Sequence, residues 1–169
     1  MKSYLLIALF GLAIALNGCA STGDLAKSKE SDQNGLSPMF KAFSPLGNIV
    51  QMDKGIKITL GGDSLFKVGY SHLSAYGIQK IDLVAAVLMK FSGDHAALVA
   101  YTDNRGMASR NLSISNRRAD NVKLELVKRG VPSDNVTAVG KGDSDPVTAN
   151  DTPEGRGKNR RVEITITAF

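Results

Sequence analysis

His95-Ala96-Ala97-Leu98-Val99-Ala100-Tyr101-Thr102-Asp103, followed after a short polar break by Leu112-Ser113-Ile114-Ser115-Asn116-Arg117-Arg118-Ala119, is the stretch on which the fold turns. Its first part is a mostly apolar run that ends in a carboxylate, which predicts a strand over 95–101, central in a sheet and covered or paired on both faces. Its second part opens an amphipathic pattern in which Ala119, Val122 and Leu126 share one stripe. A helix is expected from about Asn116 to Lys128, with Ser115 as N-cap and Gly130 at the left-handed turn that ends it. Asp103 and Arg118 stand fifteen positions apart. The pattern places the first at the strand's exit and the second in the helix's first turn, where free backbone amides favour an anion. One anion and one cation at a fixed separation suit a zwitterionic ligand. The same pair also suits an internal salt bridge across the strand-to-helix junction, the default for an arbitrary Asp and Arg and a kind of contact that contributes little stability when partly exposed.

Outward from this stretch, Ile56, Ile58 and Leu60 alternate with Lys57 and Thr59, the period of a strand with one buried face, and Gly61-Gly62-Asp63 punctuates it. Beyond Leu65-Phe66 and Gly69, the positions Ile78, Ile81, Ala85 and Leu88 recur at helical spacing, and Gly93 closes that helix. Val136 to Val139 read as a short strand. Val162, Ile164 and Ile166 alternate with Glu163, Thr165 and Thr167 as the last one. Strands alternating with helices give an α+β chain of order βαβαββ, with right-handed crossovers.

The ordered series Tyr101-Thr102-Asp103, Gly106, Asn111, Ser115, Arg118-Ala119, Gly130, Gly140-Lys141-Gly142, Pro146, Asn150, Arg156 and Asn159-Arg160-Arg161-Val162-Glu163-Ile164 resembles the OmpA C-terminal-like domain, the OmpA/MotB/Pal family, from about Gly55 to the end. The resemblance implies two helices packed on one face of a mixed four-stranded sheet. It also implies non-covalent binding of peptidoglycan, with Asp103 and Arg118 at the family's two diaminopimelate-binding positions. Diaminopimelate in a stem peptide presents an ammonium and a carboxylate on one carbon, and a guanidinium is the better partner for that carboxylate. Asn111 matches a further position near the ligand and equally suits a local turn or cap. Gly69 stands where some members carry a side chain that helps to hold ligand. Arg160 and Arg161 match the family's terminal pair, for which bracing of loops against the sheet is expected.

At the front of the chain, Lys2 precedes the apolar stretch Tyr4 to Leu16, whose 13 residues are too few for a transmembrane span and suit a signal-peptide core. Leu16-Asn17-Gly18-Cys19 resembles a bacterial lipobox. A signal peptide over 1–18 and lipidation, including a palmitate-type acyl chain, at Cys19 are therefore expected. Cys19 is the only cysteine, so the chain has no intrachain disulfide. Ala20 and Ser21 lack the aspartate that in such lipoproteins directs inner-membrane retention, which points to the outer membrane, with the domain facing the periplasm. Residues 19–47 read as a lipidated, flexible tether and 48–169 as the domain. The run Ser21 to Asn34 has too few large apolar residues to offset its ordering entropy. Leu36, Met39, Phe40, Phe43 and Leu46, broken by Pro38 and Pro45, suit either a turn docked on the domain or more linker.

The net charge is +5, and basic residues gather late, at Arg105, Arg110, Arg117, Arg118 and Lys128-Arg129 and again at Arg156, Lys158, Arg160 and Arg161. Such a patch suits nucleic acid, anionic lipid or the carboxylates of a wall peptide. Export and the lack of interleaved aromatics argue against nucleic acid. His72 and His95 lie far apart and form no zinc set. Ser113 and Ser115 lack His and Asp partners at a recognisable spacing, no acidic pair suggests wall cleavage, and Gly140-Lys141-Gly142 is too short for a phosphate loop. A binding module without cofactor, metal or enzymatic activity is expected: an outer-membrane lipoprotein that tethers the membrane to the wall. The alternative is an accessory lipoprotein of an envelope machine, localised by wall binding, with Phe40 and Phe43 as a partner surface.

Overall fold

A computed structural model describes residues 38–67, 70–91 and 95–167. Its elements are α1 (Pro38–Phe43), β1 (Ile49–Met52), β2 (Gly55–Gly61), α2 (Gly62–Leu65), α3 (Ala75–Lys90), β3 (His95–Ala100), α4 (Ala108–Lys128), β4 (Val136–Gly140), α5 (Pro153–Asn159) and β5 (Arg161–Thr167). Cys19, Gly69 and Gly93 lie outside the described residues.

The alternation read in the sequence does build the sheet. In register, Ile56, Ile166, Ala96 and Val136 form one row across β2, β5, β3 and β4. Ile58, Ile164, Leu98 and Ala138 form a second, and Leu60, Val162, Ala100 and Gly140 a third. Because side chains alternate across a strand, all three rows share one face, and they merge with the stripes of α3 and α4 into a single core. Strand β3 is an interior strand, antiparallel to β5 and parallel to β4, but the middle of the sheet is β5. Only one face of β3 is buried, its other side chains being exposed or half-exposed, where both faces were expected to be covered. The rows taper from Leu60 to Gly140 because α4 lies closest at the β4 end: a Cβ on Gly140 would overlap the backbone nitrogen of Asn116.

Four differences from the sequence reading have physical causes. The sheet has five strands, in the order β1-β2-β5-β3-β4. The extra strand β1 is a four-residue edge with no fully buried side chain, so it carries no alternation to read. Helix α4 begins at Ala108, not near Asn116, since its buried stripe continues through Asn111 and Ser115, polar residues that an apolar count passes over. Ser115 is thus not an N-cap, and Arg118 lies well inside the helix, beyond the reach of its terminal amides. In α3 the buried stripe is Gly77, Ile81, Val84, Ala85 and Leu88, while Ile78 points outward; the helix is capped by Ser74, whose hydroxyl accepts from the Gly77 amide at 2.9 Å.

The open question at the tether is answered by α1. Met39, Phe43 and Leu46 are buried in the core, and Phe40 packs against it. With Phe43 only 1% exposed, the pair Phe40 and Phe43 does not form a partner surface. Residues 38–46, read in sequence as the end of the tether, fold with the domain. Phe43→Ala is expected to destabilise the domain by about 3–5 kcal/mol, the cost of emptying a buried aromatic site. Urea unfolding checks this, and an unchanged midpoint would show that α1 does not dock in solution.

Candidate functional site

The site follows from strand order. Because β5 runs antiparallel between β2 and β3, which are parallel to each other, the start of β5 lies beside the ends of both. Two backbone bonds seal this edge: the Gly62 amide donates to the Arg160 carbonyl at 2.7 Å, and the Tyr101 amide to the Arg161 carbonyl at 2.9 Å. Three charged residues separated by up to 97 positions therefore meet: Asp63 past β2, Asp103 past β3 and Arg160 before β5.

Asp103 is a buried carboxylate, 8% exposed, and a buried charge without a partner costs several kcal/mol. Its Oδ2 accepts from Arg160 Nη1 at 2.5 Å and its Oδ1 from the Arg105 amide at 3.0 Å. Arg160 turns its other edge to Asp63, with Nε and Nη2 each 2.6 Å from a carboxylate oxygen. The Arg160 hydrogen bonds hold the Asp63 carboxyl below its ordinary range, against the opposing effect of burial, and they raise Arg160 in turn.

Arg118, from the middle of α4, reaches the same end of the sheet. Its guanidinium lies 4.7 Å from the Phe66 ring centre, and Nη2 donates to the Tyr70 carbonyl at 3.3 Å. Nε is buried with no hydrogen-bond partner. Among the described residues the ion pair of Asp103 is with Arg160, and no carboxylate stands within 4.0 Å of Arg118. The internal salt bridge between Asp103 and Arg118 is thus not formed. Burial pulls Arg118 below its ordinary value, opposed by the nearby charges of Asp63 and Asp103. The chain holds a half-buried cation with donors to spare beside a carboxylate that is already neutralised. Such a pair can accept a carboxylate directly, and an ammonium by exchange.

The supports are local. Asn111, buried in the first turn of α4, donates from its amide to the Asp103 carbonyl at 3.2 Å, so it holds the backbone that carries the carboxylate. Ser115 Oγ accepts from the Gly142 amide at 2.8 Å, Asn116 Oδ1 accepts from the Gly140 amide at 2.8 Å, and together they clamp α4 to the end of β4. Gly142 has a φ of +58°, and its carbonyl accepts from the Thr102 amide at 2.7 Å, which joins the segments that leave β3 and β4. Asn159 ties the loop before α5, accepting from the Val147 and Thr148 amides and donating to Asn150, which in turn accepts from the Asn104 amide.

Arg161 braces as expected, 3.7 Å from the Tyr101 ring centre and bonded to Glu163 and the Asp145 carbonyl. Arg160 does more than brace, since it sits on the Asp103 carboxylate. Asp63 escaped the sequence reading because Gly61-Gly62-Asp63 looks like a turn and its partner is far along the chain. The basic cluster divides: Arg129 pairs with Asp82 and Glu125, and Lys128 with Glu125, while Arg105, Arg110 and Arg117 are exposed. Among the described residues no three His, Cys, Asp or Glu side chains gather as a metal site.

The profile of the OmpA family matches residues 65–160. Over 164 residues the chain is 30% identical to the outer-membrane lipoprotein YfiB of Pseudomonas aeruginosa, covering 97% of this chain and 93% of that one. It is 35% identical over 120 residues to the peptidoglycan-binding protein ArfA of Mycobacterium tuberculosis, covering 71% of this chain and 37% of ArfA. Two further curated relatives are spanned over only 57% and 55% of their own length. Among solved structures, the cell wall anchor of the T6SS from Pseudomonas aeruginosa superposes with a TM-score of 0.67 at 28% identity, over 78% of this chain and 95% of that one. A MotB-like protein from Desulfovibrio vulgaris, at 22% identity and a TM-score of 0.70 over 78% of this chain and 87% of that one, shares the fold.

Ser115→Ala is expected to cost about 1–3 kcal/mol by leaving the buried Gly142 amide unpaired, measured by chemical denaturation. Asp63 makes a pH prediction. Its folded carboxyl is depressed, so its pairing stabilises the domain fully above the ordinary carboxylate range and fades as pH falls through the folded value. Asp63→Asn should flatten the loss of thermal stability as pH falls below the ordinary carboxylate range, about pH 4, and an unaltered acid limb would contradict the pairing.

Proposed function

The chain belongs to the OmpA family, and from that membership and the geometry of its site we propose that it binds peptidoglycan non-covalently through the diaminopimelate of the stem peptide. The observation that carries this reading is Arg118, a half-buried guanidinium whose Nε has no partner and which has no carboxylate of the described residues within 4.0 Å, while the charges of Asp63 and Asp103 are near enough to act on it. The ligand carboxylate meets the Arg118 fork, which supplies directional charge-assisted bonds that an ammonium side chain lacks. The ligand ammonium meets Asp103. Asn111 acts through Asp103, by fixing its backbone.

The rest of the chain fits a tether. Residues 1–18 are a signal peptide, Cys19 carries lipid, and the segment that follows links an outer-membrane anchor to the domain in the periplasm. The likeness to an outer-membrane lipoprotein over nearly the whole length supports this layout, as do relatives named for peptidoglycan binding and for anchoring at the cell wall. Acyl chains hold the domain near the wall, each buried methylene contributing about 0.8 kcal/mol. Weak individual contacts then suffice, because lipid-held domains work at high effective concentration. No catalytic step is involved.

Arg118→Ala removes the partner of the ligand carboxylate, a loss of about 2–5 kcal/mol for a desolvated charge pair, or roughly 30-fold and more in affinity. Co-sedimentation of the variant with purified sacculi should therefore fall to background while its unfolding midpoint stays close to that of the unaltered protein. Undiminished sedimentation would reject the assigned pocket.

A further inference from the structure

We propose that Arg160 is an internal stand-in for the ligand's ammonium at Asp103, and that Asp63 is the positioning residue that keeps this stand-in displaceable. The inference rests on the reading of the ligand as a zwitterion that pairs with Asp103 and Arg118. It starts from an asymmetry. The Arg160 guanidinium gives two donors, Nε and Nη2, to the exposed carboxylate of Asp63 and only one, Nη1, to the buried carboxylate of Asp103. The buried group is the one that needs the cation more, since among the described residues its other oxygen has only the Arg105 amide. Yet the bidentate grip, the stronger arrangement, goes to the side chain that is 59% exposed and that water would solvate well.

This arrangement suits exchange. Arg160 keeps Asp103 neutralised, so the fold does not carry an uncompensated buried charge. An ammonium arriving at Asp103 replaces a single charge-assisted bond, and Arg160 stays fastened to Asp63 by its other edge, 2.6 Å from each oxygen. A carboxylate without an ammonium cannot make this exchange, so the site selects the zwitterion over a simple anion that Arg118 alone would accept. Asp63 sets the ease of exchange. Without its grip, Arg160 is free to turn its fork onto Asp103 and hold both oxygens.

Calorimetric titration of the domain with free diaminopimelate, and with the amine-free dicarboxylate of the same length, tests this. Arg160→Gln should tighten diaminopimelate binding by about tenfold, the worth of one charge-assisted bond that no longer has to be exchanged, and leave the dicarboxylate unchanged. Arg160→Lys, which keeps the charge but cannot bridge two carboxylates, should tighten it by a smaller factor, and it decides the matter if the glutamine variant does not fold. Asp63→Asn should weaken binding by about threefold or more, and this effect should vanish in the Asp63→Asn, Arg160→Gln double variant, because Asp63 acts only through Arg160. Weaker binding of both ligands by the Arg160 variants would show that Arg160 grips the ligand carboxylate and would overturn the proposal. An Asp63 effect that persists in the double variant would also overturn it, by placing Asp63 on the ligand itself. If the unaltered domain fails to bind diaminopimelate at all, the functional reading falls first, and the proposal with it.

Discussion

The structure depends on one constraint: a carboxylate, Asp103, buried just past the exit of the interior strand β3. A buried anion must be matched, and the match comes from the far end of the chain. Strand β5 inserts between the parallel strands β2 and β3, so the residue just before it, Arg160, is delivered to the place where both strands end. Sheet topology, the tie between Gly62 and the Arg160 carbonyl, and the loop network around Asn159 and Asn150 all serve to hold that arginine and that carboxylate together.

A second constraint runs through α4. Its buried stripe begins with polar residues, Asn111 and Ser115, and only then becomes apolar at Ala119, Val122 and Leu126. The polar half is spent on backbone: Asn111 on the Asp103 carbonyl, Ser115 on the Gly142 amide. This is how a helix can press against loops at the sheet's end without leaving their polar groups unmatched. It also carries Arg118 to the site at a fixed height, on a rigid element, with its ring partner Phe66 supplied by the segment after α2. The site is electrostatically nearly balanced, with Asp63, Asp103, Arg118 and Arg160 contributing two charges of each sign. A zwitterion adds no net charge to it.

What the sequence disclosed, and what it hid, follows from the range of the interactions. Strands β2 and β5 were legible because one face of each is buried and the alternation is strict, β3 because its run is almost wholly apolar, and Asp103 and Arg118 were singled out as candidates by the motif series around them. The first two turns of α4 were hidden because Asn111 and Ser115 do not look like core. Strand β1 was hidden because an exposed edge has no pattern, and α1 was ambiguous because Pro38 and Pro45 break the apolar run from Leu36 to Leu46. The role of Arg160 and the presence of Asp63 were beyond a local reading: the contact spans 97 residues and exists only because β5 lies between β2 and β3. The pairing of Asp103 and Arg118 with each other, a fair alternative on charge alone, fails because Arg160 has already taken the carboxylate.

The central claim is that Arg118 and Asp103 are the two halves of a site for a single zwitterionic amino-acid end. A crystal structure of the domain with diaminopimelate bound tests it most directly. The account predicts one ligand carboxylate in contact with the Arg118 guanidinium, the ammonium of the same carbon within hydrogen-bond distance of Asp103 Oδ2, and Arg160 withdrawn from that oxygen. Ligand found away from both residues, with Arg160 Nη1 still on Asp103, would contradict it.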